Sequence, residues 1–580
     1  MVFSGPWPMP EGAVLLPAAV LLPFLSMLIG LTVGGPWLRR IALATIPMGL
    51  AITLGIAAAW TGLNGTVTYP LGGWEPPLGI ALRADGPAVA MLVAVALVVC
   101  GIAIFARNDF GPTHDPTETR ASFTYWLLLL SVWGALNLVF LSGDLFTLYV
   151  ALELLTFAGV PLVCLAGTGE TLRAALRYML FALCGSVLYL LGAVLLYGGY
   201  GTLDMPLLAA AIRAEPIVWT ALSLMTVGLL AKTALFPLHL WLPPAHGGAP
   251  AAASAALSAL VIKGSWFLVL RLWFDVMPGV ITFAATQLLA TLGALAILVG
   301  SIVALRQERL KLLVAYSTMA QIGYLFLMFP LAYHDGRLTA GVAMSAGVLQ
   351  AMSHATAKAG MFMSAGLVYA ALGHDRIRDL GGAARAMPLT LLAFAVSGVA
   401  LMGVVPSGAY VAKKLLLNAA EESSQWWWIA VLQGGAAFTA SYVALVLVSA
   451  LRHPQTHPAE IRQVPMVPQW AALGLALASL FLAWFPLQTE GAGLIKHPLA
   501  PTELANTLVV VLAGVLLAWG LARSSPWSGK ADSPWRSVTT RLGMAFELFD
   551  NWVRRWTIAC LFLIVLGALF FFLLRVGQPQ

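Results

Sequence analysis

Charge is scarce in this chain. Only 9% of its 580 residues are Asp, Glu, Lys or Arg, against 60% that are apolar. That excludes an ordinary soluble domain, in which about a quarter of residues are charged. Cysteine is rarer still. Cys100, Cys164, Cys184 and Cys560 stand alone, none in a C-x-x-C pair, and all lie within apolar runs. Such spacing offers no disulfide, iron–sulfur or zinc framework. A zinc site would also need three or four clustered ligands, and the nearby lysines repel a cation. No Rossmann or P-loop glycine signature stands between a strand and a helix. The reading is a chain with no metal, redox or nucleotide cofactor of its own. Any drive other than an ion gradient then comes from a partner.

What fills the sequence is long apolar runs. A helix needs roughly 20 apolar residues to cross a bilayer. Runs of that kind predict spans near 13–33, 41–61, 86–106, 122–142, 144–168, 174–200, 215–241 and 250–274. Eight more follow near 279–304, 311–333, 338–372, 387–418, 425–451, 467–486, 505–522 and 553–574. The expected fold is an all-α polytopic membrane protein of about 16 helices. The segments starting at 215, 338 and 387 are too long or too interrupted for simple helices. Aromatic residues read as interfacial belts, as "SQWWWIA" (424–430) does at a span start.

The net charge of +7 reflects topology rather than a nucleic-acid partner. Twenty Lys and Arg, Lys311 among them, fall in connections after odd-numbered spans. Only Arg83, Arg213, Arg271, Arg337 and Lys496 fall after even ones. The positive-inside rule places the odd connections in the cytoplasm and both termini outside. The first basic residue, Arg39, follows the first span, so the N-terminus lacks a signal peptide's basic flank.

Six charges remain inside spans: Glu153, Lys232, Lys263, Lys358, Lys413 and Lys414. Each costs roughly 2.5–3.5 kcal/mol on insertion scales, which makes function the default reading. Glu153, in "DLFTLYVALELLTFAGVPLV" (144–163), is the one acid placed deep in a span. Pairing it with a lysine keeps both groups poised for proton relay; the bland alternative is a static ion pair. His354 and Lys358 are four residues apart and share a helix face. Lys413 and Lys414 are neighbours about 100° apart on a helix, so at most one faces a common path. His239 and His246, in "AKTALFPLHLWLPPAHGGAP" (231–250), serve either a proton path or loop hydrogen bonding.

Two spans break themselves. Pro237 follows Lys232 closely, and Pro406 stands in "GVVPSGAYVAKKLLL" (403–417), again beside lysine. Proline in a span frees a backbone carbonyl, tolerated only where protein or water satisfies it. Counted in fives, residues 122–274 and 279–451 form two units of similar length, the second inverted. Matching breaks in inverted repeats point to a midplane ion site. The remaining divisions are an N-terminal three-helix segment (1–121), a fourteenth span (452–486) and a C-terminal extension (487–580).

These residues resemble a known family. "AKTALFPLHLWLPPAHGGAP" is similar to the K-x-P-x-x-P-L-H-x-W-L-P-D-A-H run of the proton-translocating antiporter-type subunits of complex I, membrane-bound hydrogenases and Mrp Na⁺/H⁺ antiporters. "SALVIKGSWFLVLRL" (258–272), "RLKLLVAYSTMAQIGYL" (309–325) and "SHATAKAGMF" (353–362) resemble the stretches that follow. "YPLGGWEPPLGIALRAD" (69–85) and "FLSGDLFTLYVALELL" (140–155) look most like the D-type subunit of Mrp antiporters. The resemblance implies a path from the Glu153–Lys232 pair to Lys263, then His354 and Lys358 on a broken eleventh span, and out at Lys413. Lys414, His239 and His246 are secondary candidates. It further implies a 14-helix core, other membrane subunits as partners, H⁺ and Na⁺ as ions, and the cytoplasmic membrane of a prokaryote. Pro244 stands where the family run has Asp. Beyond the core, "SPWRSVTTRLGMAFELFDNWVRRW" (533–556) reads as a cytoplasmic amphipathic helix, with Leu542, Phe546 and Phe549 facing lipid or a partner it clamps.

Three functions follow as expectations. The first is cation/proton antiport in an Mrp-like assembly. The second is redox-driven pumping in a dehydrogenase or hydrogenase complex. The third is a proton channel serving an inorganic-carbon accumulating complex.

Overall fold

The computed structural model describes residues 12–63, 65–109, 119–453, 462–484, 501–524 and 534–577. Helices dominate. The chain opens with α1 (Leu15–Val33), α2 (Trp37–Leu63) and, after strands β1 (Val67–Pro70) and β2 (Ala81–Ala84), α3 (Gly86–Asp109). Next come α4 (Arg120–Leu141), α5 (Leu145–Val163), α6 (Gly169–Tyr200), the short α7 (Met205–Ala211) and α8 (Pro216–Thr233). A broken stretch holds α9 (Leu242–Gly248), α10 (Ala251–Ala256) and α11 (Ile262–Leu270). Then follow α12 (Phe283–Arg306), α13 (Leu310–Tyr324), α14 (Met328–Leu331), strands β3 (Tyr333–His334) and β4 (Arg337–Leu338), and α15 (Val342–Leu372). The chain closes with α16 (Ala383–Ala386), α17 (Pro388–Met402), α18 (Gly408–Glu422), α19 (Trp426–Leu451), α20 (Met466–Phe481), α21 (Pro501–Ser524), α22 (Pro534–Val553) and α23 (Trp556–Val576).

Among the described residues, 14 helices are long and apolar enough to cross a membrane. The chain is thus a nearly all-helical, multi-pass membrane protein. The sixteen expected spans include two that fall short of this: the pair α17–α18 and the apolar part of α21. Short polar side chains set many starts. Asp144 accepts from the backbone N–H of Phe146 and Thr147, and Thr168 and Thr171 cap each other at the start of α6.

One expectation is corrected here. The eleventh span is not broken: α15 runs continuously from Val342 to Leu372. The segment contains no proline, and its glycines mark close packing, since a side chain at Gly360 or Gly366 would collide with Ser397 or Ala251.

Connections sort onto two faces. On one, Gly143 N–H donates to the Ala81 carbonyl, Leu145 N–H to Leu203 and Leu338 N–H to Pro278. On the other, Ile377 N–H donates to Glu308, Gly382 N–H to Arg452, and Arg309 Nε pairs with Asp375 at 3.0 Å. The second face is the one expected to be rich in Arg and Lys. The β1–β2 pair marks the first, the hairpin face.

Helix α22 crosses the second face as a strap. Arg306, at the end of α12, pairs with Glu547 at 3.1 Å, and α23 packs on α8 through the Trp219–Phe571 ring contact and on residues 271–276 through Trp273–Phe570. The strap therefore packs on its own core. At about 1.5 Å per residue its 20 residues reach only about 30 Å. Phe546 is partly buried against the core, and Phe549 lies 6.2 Å from Phe236. The side chain of Leu542, with Lys496 and Lys530, lies outside the described residues.

Candidate functional site

Glycine brings the first pair together. Gly185 of α6 faces Gly228 of α8 so closely that a side chain on either would strike the other backbone. That approach sets Lys232 of α8 beside Ser186 of α6 and Thr156 of α5. Lys232 Nζ reaches Glu153 Oε1 at 3.3 Å and Thr156 Oγ1 at 2.8 Å, with Ser186 Oγ a third, closer partner. Side-chain exposures of 6% for Lys232 and 14% for Glu153 leave this pair largely removed from solvent. The expected Glu153–Lys232 pairing is present in the geometry.

The second cluster joins two lysines. Lys263 is fully buried on α11, just after Leu257–Val261, which is wound as π-helix. Such local winding recurs at functional sites. Here Lys263 Nζ donates to the Ser258 carbonyl at 2.5 Å. Ser258 Oγ bonds Thr318 of α13 at 3.0 Å, and Thr318 donates to the Val314 carbonyl at 2.9 Å. The same carbonyl accepts from Lys358 Nζ of α15 at 3.3 Å, while Ser317 Oγ takes a shorter bond of 2.5 Å. A side-chain and carbonyl ladder thus connects Lys263 to Lys358. Between the two clusters, Thr233 Oγ1 donates to Ser265 Oγ at 3.0 Å, tying α8 to α11.

The two breaks share one construction. Helix α8 ends at Ala234, in the left-handed region at φ 57°, and α17 ends at Gly403, at φ 72°. Each stands three residues before its proline, Pro237 or Pro406. In each, the N–H of the left-handed residue returns to the carbonyl three back, and the next N–H to the carbonyl five back. This pattern satisfies helix-end carbonyls without a further turn. In the first break Trp241 Nε1 also donates to Ala231 at 3.0 Å, so the freed backbone is covered by protein. His239 therefore does not continue the face of Lys232, because the helix stops at Thr233.

The remaining candidates separate. His246 stacks on Phe362 of α15 at 4.7 Å, which places it beside the Lys358 helix. Among the described residues, both ring nitrogens of His246 and of His354 are buried without a protein partner, as are Ser254 and Ser353 Oγ. Buried polar atoms of this kind are satisfied by water. His354 shares the helix of Lys358 but makes no bond to it. Lys413 donates to Gln433 Oε1 at 3.1 Å, whereas Lys414 pairs with Glu503 of α21 at 3.0 Å. Their partners lie on different helices, as their angular separation requires. Gln321 of α13 ties that helix to α17 and α19, donating to the Leu401 carbonyl and to Thr439 Oγ1, each at 3.3 Å.

Several charged residues carry more than sequence reasoning assigned them. Lys311, which reads as a loop charge in the sequence, is buried with Nζ on the Ala249 carbonyl at 2.5 Å. Arg271 is also buried, held at 2.5 and 2.7 Å by Asp85 and at 2.6 Å by Asp275. Burial pushes the Asp85 carboxyl up, but the Arg271 charge and its hydrogen bonds outweigh that and hold it below the usual range. The bridging Ser258, Ser317 and Thr318 gave no signal except their place in motifs around the lysines. Among the described residues, no three His, Cys or carboxylate side chains converge as a metal would need.

Several known proteins are similar to this chain in sequence or fold. The chain is 32% identical to the N-type subunit of the NADH-quinone oxidoreductase of Desulforudis audaxviator, over 80% of this chain and 90% of that protein. It is 30% identical to the D-type subunit of the Na⁺/H⁺ antiporter of Bacillus subtilis, over 68% of this chain and 78% of that one. The solved Mrp complex from Dietzia sp. DQ12-45-1b contains a chain of the same fold, with TM-score 0.71 and 21% identity, covering 88% of this chain and 98% of that one. Residues 142–439, which hold both breaks and every buried lysine of the two clusters, match the transmembrane family of NADH:quinone oxidoreductase and the Mrp antiporter. The chain belongs to that family, as an antiporter-like subunit of the Mrp or complex I type.

Proposed function

We propose that the chain conducts protons within a multisubunit, Mrp-like cation/proton antiporter, in the position of its D-type subunit. One observation carries this reading: a file of titratable groups inside the helices, most of them buried, with a polar link between Lys263 and Lys358. Protons enter at Glu153–Lys232, pass Lys263 and the His354–Lys358 segment, and leave at Lys413. His246, stacked on Phe362, stands beside the Lys358 helix. A charge arriving at one site alters proton affinity at the next, so these titrations are coupled. The matched breaks support two inverted units, 122–274 and 279–451, with the C-terminal extension outside them. The strap face lies in the cytoplasm of a prokaryote, with both termini outside, in keeping with the charge asymmetry.

A second reading is a proton-pumping subunit of a quinone oxidoreductase. It is favoured by the likeness to the N-type oxidoreductase subunit, which is somewhat greater than that to the D-type antiporter subunit.

One preparation tests both. In energised everted vesicles containing the native assembly, a fluorescent dye follows ΔpH. Antiport predicts collapse of ΔpH on adding Na⁺, whereas redox pumping predicts acidification only with an electron donor. Lys232→Ala and Glu153→Ala should each slow proton movement at least about 10-fold. Unchanged movement in both variants sinks the path.

A further inference from the structure

A cavity of about 300 Å³ lies between α9, which follows the first break, and the strap. Its lining includes Pro243 and Pro244 of α9, Tyr316 of α13, and Asp550, Asn551 and Arg554 from the strap. Asp550 is 1% exposed and reaches inward. Its Oδ1 lies 2.8 Å from His239 Nε2. Its Oδ2 accepts from Tyr316 Oη at 2.7 Å and Arg554 Nε at 2.8 Å.

The tautomer of His239 follows from this network. Burial works against the Asp550 charge, but the hydrogen bond and charge of His239, then Arg554 and Tyr316, outweigh it and hold the carboxyl at about 2. An ionised carboxylate only accepts hydrogen bonds, so His239 Nε2 carries the hydrogen. Nδ1 is buried and has no protein partner among the described residues, so it holds a lone pair when the ring is neutral and a hydrogen when the ring is charged. A static clamp would satisfy both nitrogens, because orphaned buried nitrogens are uncommon and costly. Here one nitrogen is anchored to an anion and the other is left open. That is the arrangement of an imidazole that takes up a proton at Nδ1 while a fixed counter-charge balances it.

We propose that His239 and Asp550 form a proton-transfer site at the strap-face mouth of the path, so that the C-terminal extension supplies a working carboxylate rather than a brace alone. The proton comes from hydronium at the strap face and is released to the path, so only O–H and N–H bonds exchange. A proton bound at Nδ1 makes an imidazolium beside Asp550, and its loss from Nδ1 restores the starting tautomer. The site rests on the proton path proposed above. Pro244 gives the cavity wall no titratable group, and the strap brings one from more than three hundred residues away in sequence.

The test uses the native assembly in everted vesicles, with flux read per assembled complex and thermal melting read on the solubilised complex. Asp550→Asn and His239→Gln should each lower proton flux about 10-fold or more, and Asp550→Glu should restore part of it. Glu547→Gln, which removes only the strap's ion pair with Arg306, should keep at least half of the flux. If the strap is only a brace, flux loss will follow melting-temperature loss across all four variants, and the proposal falls. Wild-type flux in Asp550→Asn, with Lys232→Ala silent, also overturns it while the core path stands. Flux retained in Lys232→Ala removes the path beneath it instead.

Discussion

Lys263 and Lys358 are linked through Ser258, whose carbonyl accepts from Lys263 and whose hydroxyl bonds Thr318, and through the Val314 carbonyl, which accepts from both Thr318 and Lys358. Among the described residues, neither lysine has an acid paired with it, unlike Lys232, which pairs with Glu153. Two ammonium groups on one polar ladder repel each other, and carbonyl and hydroxyl partners offset their desolvation only in part. A proton that leaves one of them favours the charge on the other.

The ladder makes stability and transport part company. Replacing a buried, poorly compensated charge by an apolar group of similar size is often neutral or stabilising, by about 1–4 kcal/mol. Lys263→Met should therefore melt at or above the wild-type temperature while losing about 10-fold or more of proton flux. Lys358→Met should behave in the same way. Combining the two should cost no more flux than either alone, since both interrupt one route. Melting of the purified complex and dye-monitored ΔpH check the two halves separately. A variant that melts early and conducts normally would contradict the assignment.

Much of this was legible in the chain, for a physical reason. A charge within an apolar run is expensive, so Lys232, Lys263 and Lys358 declared themselves, and Glu153 was the one acid deep enough to pair. Proline beside lysine marked both breaks, because backbone freed inside a membrane must be covered. Other features had no local signal. Lys311 and Arg271 stand near span ends and read as loop charges, yet tertiary packing buries both. Ser317 and Thr318 are unremarkable residues until α15 brings Lys358 against them. Asp550 gave no signal of its own in the sequence. Only the long-range return of α22 sets it on His239. The expected break in the eleventh span was not there, since α15 contains no proline to force one.

The breaks make a prediction about backbone strain. Ala234 holds φ 57° and Gly403 holds φ 72°, both left-handed. A residue with a Cβ pays roughly 1–2 kcal/mol there, and glycine does not. Ala234→Gly should thus raise the melting temperature by a few degrees or leave it unchanged, offset in part by glycine's greater freedom when unfolded. Gly403→Ala should lower it by a comparable amount. Gly403 also lies close to the Lys413 side chain, so its substitution should disturb proton flux more than Ala234→Gly does. Thermal melting beside a flux assay separates the effects, and equal, opposite shifts in melting would support the matched construction of the two ends.

Acid should release the strap in a defined window. The Asp550 carboxyl is held at about 2, against an ordinary 3.8. His239, Tyr316 and Arg554 touch it, Glu547 and the Arg306 that pairs with Glu547 stand on the same strap contact, and Arg177 of α6 lies near Arg554. A carboxyl whose folded value is depressed adds stability that is fully present above its unfolded value, about 3.9, and is lost as pH falls through the folded one. The docked strap should hold at pH 5 and above, weaken from about pH 4, and come free toward pH 2. The amount at stake is on the order of 2 kcal/mol, comparable to one well-made charge-assisted hydrogen bond. Hydrogen exchange of the α22 amides, compared with those of α13 beneath it, reads this directly. Asp550→Asn should abolish the step between pH 4 and 2 while leaving exchange in α13 unchanged. Persistence of the same step in that variant would assign it to Glu547 and the Arg306 contact instead.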